Sequence, residues 1–234
     1  MAIDDPAPPA LTRFWHTRDP ALFLGHTRPM GRQQSTLMIL MAEAGWQPCM
    51  SPPVARMDSL PVQLQFEIAS LYHRLGGLDP LPVRAGSWDM AFGDLVIELD
   101  EEQHFNRYRA LTLDTPFAAK LPWRDTYLAQ CASFEVTCRK KASNRRYWTN
   151  PSSEKSFGLS GPPGKLDEAG SPRWKQRAIY DAMRDATALS GTIRLARLSR
   201  WDEIDGIPLW QALEGSTPID PASLLSLIAD RTVG

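Results

Sequence analysis

Residues 86–104 read Gly-Ser-Trp-Asp-Met-Ala-Phe-Gly-Asp-Leu-Val-Ile-Glu-Leu-Asp-Glu-Glu-Gln-His. Gly93-Asp94 is a two-residue hairpin signal between two apolar-rich runs. With those residues as the turn, Phe92 faces Leu95, Met90 faces Ile97 and Trp88 faces Leu99, so one face is wholly apolar. On the other face Ala91 meets Val96, Asp89 meets Glu98 and Ser87 meets Asp100. Directly opposed residues have Cβ atoms about 4.5–5.5 Å apart, where like charges repel. An Asp89–Glu98 pair is therefore a fault unless a cation lies between the carboxylates, or unless the hairpin is a solvent-facing edge where both stay hydrated. Hard divalent ions such as Mg²⁺ are held by one or two carboxylates, waters and substrate phosphate oxygens.

Upstream, Gly76-Gly77 closes an amphipathic helix expected from about Leu60 to Leu75, with Pro61 tolerated in its first turn. Leu64, Ile68, Leu71 and Leu75 form its buried stripe, and Glu67 sits on or beside that stripe. A carboxylate there is costly unless it is paired, bound to a cation or able to reach water. A short apolar helix is expected from Gln33 to Ala44, stopped at Gly45, with its methionines as core filler. Residues 1–31 are Pro-rich and irregular, and are expected as an arm lying over a single domain, 32–234.

Downstream, Phe105-Asn106-Arg107-Tyr108-Arg109 lies beside His104, and Arg107 and Arg109 read either as phosphate holders or as a solvated edge. Tyr127, Cys131, Phe134 and Cys138 share one face of a helix expected from Trp123 to about Cys138. Residues 139–172 read as a flexible basic insertion: Arg139, Lys140, Lys141, Arg145 and Arg146 precede Tyr147-Trp148, after which Pro, Ser and Gly dominate. Basic residues interleaved with aromatics can track a phosphate backbone and stack on unpaired bases. Basic loops also occur without a partner. A helix from Arg173 to about Leu189 carries Arg173, Lys175, Gln176, Arg177 and Arg184, and residues 192–198 alternate as a strand with Ile193 and Leu195 inward. A turn at Asp205-Gly206 and helices at Leu209–Leu213 and Pro221–Ala229 complete the chain as packing elements.

The chain has 234 residues and a net charge of −1, which argues against a general nucleic-acid coat protein. The charge is unevenly spread: Arg139 to Arg177 holds ten Lys or Arg against three Asp or Glu, pointing to an anionic partner for that part. No apolar run approaches the roughly 20 residues of a membrane helix, and the N-terminus lacks a signal-peptide pattern. Cys49, Cys131 and Cys138 form no CxxC pair and leave one thiol over, so a reduced cytoplasmic setting is expected and zinc is not. No Walker or dinucleotide phosphate loop and no Ser-His-Asp arrangement with a nucleophile elbow is present.

Asp89, then Glu98-Leu99-Asp100, then Gln103-His104 resembles the core of the PD-(D/E)xK (restriction-endonuclease-like) nuclease superfamily, nearest its very-short-patch repair endonuclease-like branch. The likeness is close over 86–104 and looser over about half the chain. Asp100 stands where the superfamily has Lys, a departure shared by the narrower branch, and Glu101-Glu102 replaces a Gly common there. The resemblance implies an α/β fold, a mixed central sheet flanked by helices, and metal-dependent hydrolysis of DNA phosphodiester bonds, in repair, restriction or phage defence. It implies Mg²⁺ or Mn²⁺ on Asp89 and Glu98, with the Leu99 carbonyl and Glu67 completing the set. Asp100 would position or deprotonate a water, and His104 would act as base or give a proton to the leaving oxygen. Lys175 or Gln176 is a candidate for the displaced lysine's work. The alternative is a nuclease-like fold that has lost activity and binds nucleic acid or a protein.

Overall fold

A computed structural model describes residues 31–215 and 218–234, so the arm expected over 1–31 lies, but for Gly31, outside the described residues. Helix α1 (Arg32–Glu43) buries Leu37, Met38, Leu40 and Met41 and ends before Gly45, whose φ of 89° an L side chain would strain to adopt. Helix α2 (Val62–Arg74) follows Pro61 and buries Ile68, Leu71 and Tyr72. Strands β1 (Met90–Phe92) and β2 (Leu95–Asp100) pair antiparallel with Met90 opposite Ile97, Ala91 opposite Val96 and Phe92 opposite Leu95. This is the register that the Gly93-Asp94 turn demands, and Gly93 takes a φ of 58°.

Every residue of β2 is buried, so the hairpin is no solvent-facing edge. The chain then makes a long crossover through α3 (Arg107–Leu113), α4 (Arg124–Lys140), α5 (Arg145–Trp148), α6 (Pro151–Phe157) and α7 (Pro172–Leu189). It returns as β3 (Arg194–Ser199), parallel to β2, with Glu98 beside Arg197 and Asp100 beside Ser199. A two-stranded hairpin, β4 (Glu203–Ile204) and β5 (Ile207–Pro208), leads to α8 (Leu209–Leu213) and α9 (Pro221–Asp230). Strand β6 (Thr232–Val233) then closes a four-stranded sheet in the order β1-β2-β3-β6, antiparallel to β3. The protein is thus a mixed α/β fold around a mixed sheet flanked by helices.

Alternation along β2 divides its side chains between two layers. Leu95, Ile97 and Leu99 join Ala196 and Leu198 in a core with α1, α8 and α9. Val96 and Leu195 join the larger core formed with α2, α3, α4 and α7. Strand β3 is buried on both faces, as a strand inside a sheet covered by helices must be, rather than alternating inward and outward.

Residues 139–172 correct the expectation of a flexible insertion. They carry the short helices α5 and α6 followed by turns, and Trp148, Phe157 and Leu166 enter the larger core. Trp148 meets Trp174 edge to face at 5.0 Å and donates from Nε1 to the Gly161 carbonyl at 2.8 Å. The apolar surface of three large side chains outweighs the Pro, Ser and Gly content that suggested looseness. Among the described residues no helix is long and apolar enough to cross a membrane.

Candidate functional site

Glu98 and Asp100 project from β2 on the side of Val96, towards α7. That helix carries Asp181, Arg184 and Asp185, spaced to share a face, among the small residues Ala178, Ala182 and Ala186. Small neighbours let the helix approach the sheet and bury these charges with Arg197 of β3 and Arg109 of α3.

The acid pair on the hairpin is arranged by backbone. Asp89 N–H donates to Glu98 Oε1 at 3.0 Å, and Leu99 N–H donates to Asp89 Oδ2 at 3.1 Å. One oxygen of each carboxylate is thereby committed. Asp89 Oδ1 makes no hydrogen bond within the described residues, and Glu98 Oε2 has Arg184 Nη1 at 3.5 Å. The Leu99 N–H points to Asp89, and in a strand the carbonyl of the same residue faces the same edge. Burial drives the Asp89 carboxyl up to about 6 and the Glu98 carboxyl up to about 8, against the opposing pull of Arg184 on both.

Deeper lies a network of ion pairs. Asp100 accepts from Arg197 Nη1 at 3.0 and 2.8 Å, from the Tyr127 hydroxyl at 2.9 Å, and has His104 Nδ1 at 3.1 Å. Asp181 has His104 Nδ1 at 2.8 Å on Oδ2, and Arg184 and Arg197 each at 3.2 Å on Oδ1. Asp185 joins Arg197 Nε at 2.7 Å and Arg109 Nη2 at 2.8 Å. Burial pushes the Asp100 and Asp181 carboxyls up, but Arg197 and then His104 outweigh it and hold both below the usual carboxylate range. Asp100, His104 and Asp181 offer ligand atoms within 4.8 Å of one another. The guanidiniums already on those oxygens make this a hydrogen-bonded cluster rather than a cation seat. Two carboxylates, which only accept, require the proton on Nδ1 and leave Nε2 as the open nitrogen of His104.

Charge accounting separates the two groups. Arg109, Arg184 and Arg197 face five carboxylates: Asp100, Asp181, Asp185, Asp89 and Glu98. The first three acids match the three guanidiniums, so while His104 is neutral Asp89 and Glu98 are the surplus. Two surplus carboxylates, Asp89 with one oxygen free and Glu98 with one oxygen facing only Arg184 at 3.5 Å, lie beside a strand-edge carbonyl and are a donor set that fits a hard divalent cation.

The remaining candidates fall elsewhere. Glu67 Oε1 accepts from Gln63 and Glu67 Oε2 is buried without a partner; no bond links either to the Asp89–Glu98 pair. Arg107 is held by Glu135 and Asp167, at 2.8 and 2.9 Å. Arg109 is fully buried on Asp185, so neither reading of it, phosphate holder or solvated edge, stands. Gln176 is buried against Ser152 and Arg173. The Lys175 ammonium lies 5.6 Å from the Tyr108 ring centroid, and burial lowers its pKa. Lys141 pairs with Glu102 at 3.4 Å. Arg139, whose Nε donates to the Gly164 carbonyl, Lys140, Arg145 and Arg146, stacked on Tyr147, are exposed and make no salt bridge within the described residues.

Asp181, Arg184, Asp185 and Arg197 are the site residues that sequence reasoning missed. Their signal was three charges in an otherwise small and apolar run of α7, and an Arg between Ala196 and Leu198 in the middle of strand β3. The chain belongs to a family of unknown function (DUF7255), whose model matches residues 70–214. That span takes in the whole buried charge cluster and the hairpin. No curated protein and no solved structure matches the chain.

Proposed function

We propose that this protein is a metal-dependent endonuclease that hydrolyses phosphodiester bonds of DNA on a restriction-endonuclease-like core. The observation that carries this reading is the surplus Asp89–Glu98 pair, opposed across a hairpin beside a cluster whose other buried charges are matched. The order hairpin, helical crossover, parallel strand supports the resemblance seen in residues 86–104.

Asp89 and Glu98, with the Leu99 carbonyl, would hold Mg²⁺ or Mn²⁺, which when bound supplies charge against the scissile phosphate and acidity to water. Asp100 is filled by Arg197, Tyr127 and His104, so its part is to orient His104 and not to move a proton of water. Asp100 and Asp181 keep the proton on His104 Nδ1, and Nε2 takes a proton from the attacking water or, once charged, gives one to the leaving oxygen. The exposed cations Arg139, Lys140, Arg145 and Arg146 supply a track for backbone phosphates. That same track favours the second reading, a nucleic-acid-binding module without chemistry.

The test is cleavage of supercoiled plasmid and of single-stranded DNA in Mg²⁺, Mn²⁺ and EDTA. Cleavage in either metal, absent in EDTA and absent in Asp89→Asn and Glu98→Gln, is the expected result. Full cleavage by Asp89→Asn would refute the metal assignment, and binding without cleavage in any metal would favour the module.

A further inference from the structure

We propose that Arg184 is a catalytic residue of this site: its guanidinium shares Glu98 with the cation and donates to a phosphate oxygen of the bound nucleic acid. This rests on the nuclease reading above. Arg184 is nine-tenths buried, and three anchors hold its fork in place. Nη2 donates to the Ser87 carbonyl at 2.8 Å, Nη1 donates to Asp181 Oδ1 at 3.2 Å, and the guanidinium carbon lies 5.7 Å from the Trp88 ring centroid. Ser87 and Trp88 are the two residues before Asp89, so Arg184 is tied to the entry of the hairpin that carries the acid pair.

The fork is held, yet three of its five N–H groups make no hydrogen bond within the described residues. A guanidinium has five N–H groups. Those to Ser87 and Asp181 are given away, Nε is buried with no acceptor, and Glu98 at 3.5 Å is at ion-pair range but beyond a good hydrogen bond. Buried donors without acceptors are costly, and a planar fork is the shape that pairs with phosphate oxygens. The anion that a divalent cation on Asp89 and Glu98 recruits is a phosphate, delivered beside this fork. During hydrolysis the water oxygen bonds to phosphorus, the bond from phosphorus to the leaving oxygen breaks, and that oxygen takes a proton. Arg184 keeps all its protons and meets the charge that grows on the non-bridging oxygens.

The same position makes Arg184 a competitor of the cation for Glu98, so its removal should move two measurements in opposite directions. In Arg184→Gln, Mg²⁺ binding to the DNA-free protein, followed by calorimetry, should tighten about 3- to 10-fold, because Glu98 loses the guanidinium beside it. Cleavage at saturating Mg²⁺ should fall at least about 100-fold, the scale of losing one transition-state donor, with partial recovery on adding free guanidinium ion. Arg184→Lys, which keeps the charge and guards against misfolding of the Gln variant, should fold and cut at least about 10-fold more slowly. Cleavage within fivefold of the parent in both variants, while Asp89→Asn is dead, would overturn the role of Arg184 and leave the nuclease reading standing. Weakened Mg²⁺ binding in a folded variant would make Arg184 a structural support and overturn it equally. A parent chain that cuts no DNA in any metal ends both readings.

Discussion

Asp89 and Glu98 are the residues whose surroundings contradict their charge, and this gives a stability signature independent of catalysis. Carboxyls in an unfolded chain ionise near about 4, whereas in the fold burial holds Asp89 up to about 6 and Glu98 up to about 8. Between those limits the native chain keeps protons that the unfolded chain has shed, so stability falls as pH rises from about 4 to about 8. Asp100 and Asp181, held low by Arg197, act with the opposite sign, and their contribution is lost only as pH drops below about 4. In EDTA the Tm should therefore be lower at pH 8 than at pH 5.5, and the decline should shrink in Glu98→Gln. Saturating Mg²⁺ should raise Tm more at pH 8 than at pH 5.5. A Tm that climbs between those pH values in EDTA would contradict the surplus-charge account.

Helix α7 is the element on which the site depends. Its first turns carry Lys175 and Arg177, but the residues of the candidate site lie further along, where Asp181, Arg184 and Asp185 replace apolar packing with ion pairs to both the sheet and α3. The start of α7 is fixed by Ser171, which caps it through Trp174 N–H and donates to the Trp148 carbonyl. Trp148 thus supports α7 directly, and α5 and α6 are struts rather than an appendage. Trp148→Ala should cost about 3–5 kcal/mol, as loss of a fully buried large aromatic does, read by urea unfolding. A loop standing free of the core would lose almost nothing.

Across the whole molecule, the buried acids and the exposed cations fall in different places. Arg139, Lys140, Arg145 and Arg146 are among the cations of 139–172 that make no salt bridge within the described residues, and they would suit an anionic partner that the net charge of −1 does not suggest. Replacing those four with Gln should weaken DNA binding and lower the slope of log K against log salt by about 0.9 for each duplex phosphate no longer neutralised. Changing Arg107, already paired with Glu135 and Asp167, should leave the slope unaltered. Equal effects of the two changes, in a titration by fluorescence anisotropy, would show that charge alone and not this track governs binding.

The residues of 86–104 determined the hairpin and its register, because a two-residue turn and a period of two leave one pairing that buries Met90, Phe92, Ile97 and Leu99 together. The ladder ends at Met90, Trp88 packs in the other core, and Asp89 meets Glu98 through its N–H just beyond the paired strands. Helix ends were equally local, marked by Pro61, Gly45 and the Ser171-Pro172 cap. What only the tertiary structure decided is which charges meet. His104 and Asp181 are 77 residues apart, and Asp100 and Arg197 are 97 apart. No local pattern sets how a helix arriving after such a crossover is rotated over the sheet. That rotation is settled by packing Ala178, Ala182 and Ala186 close to it, and the packing converts Arg109 from an apparent surface charge into a buried counter-ion.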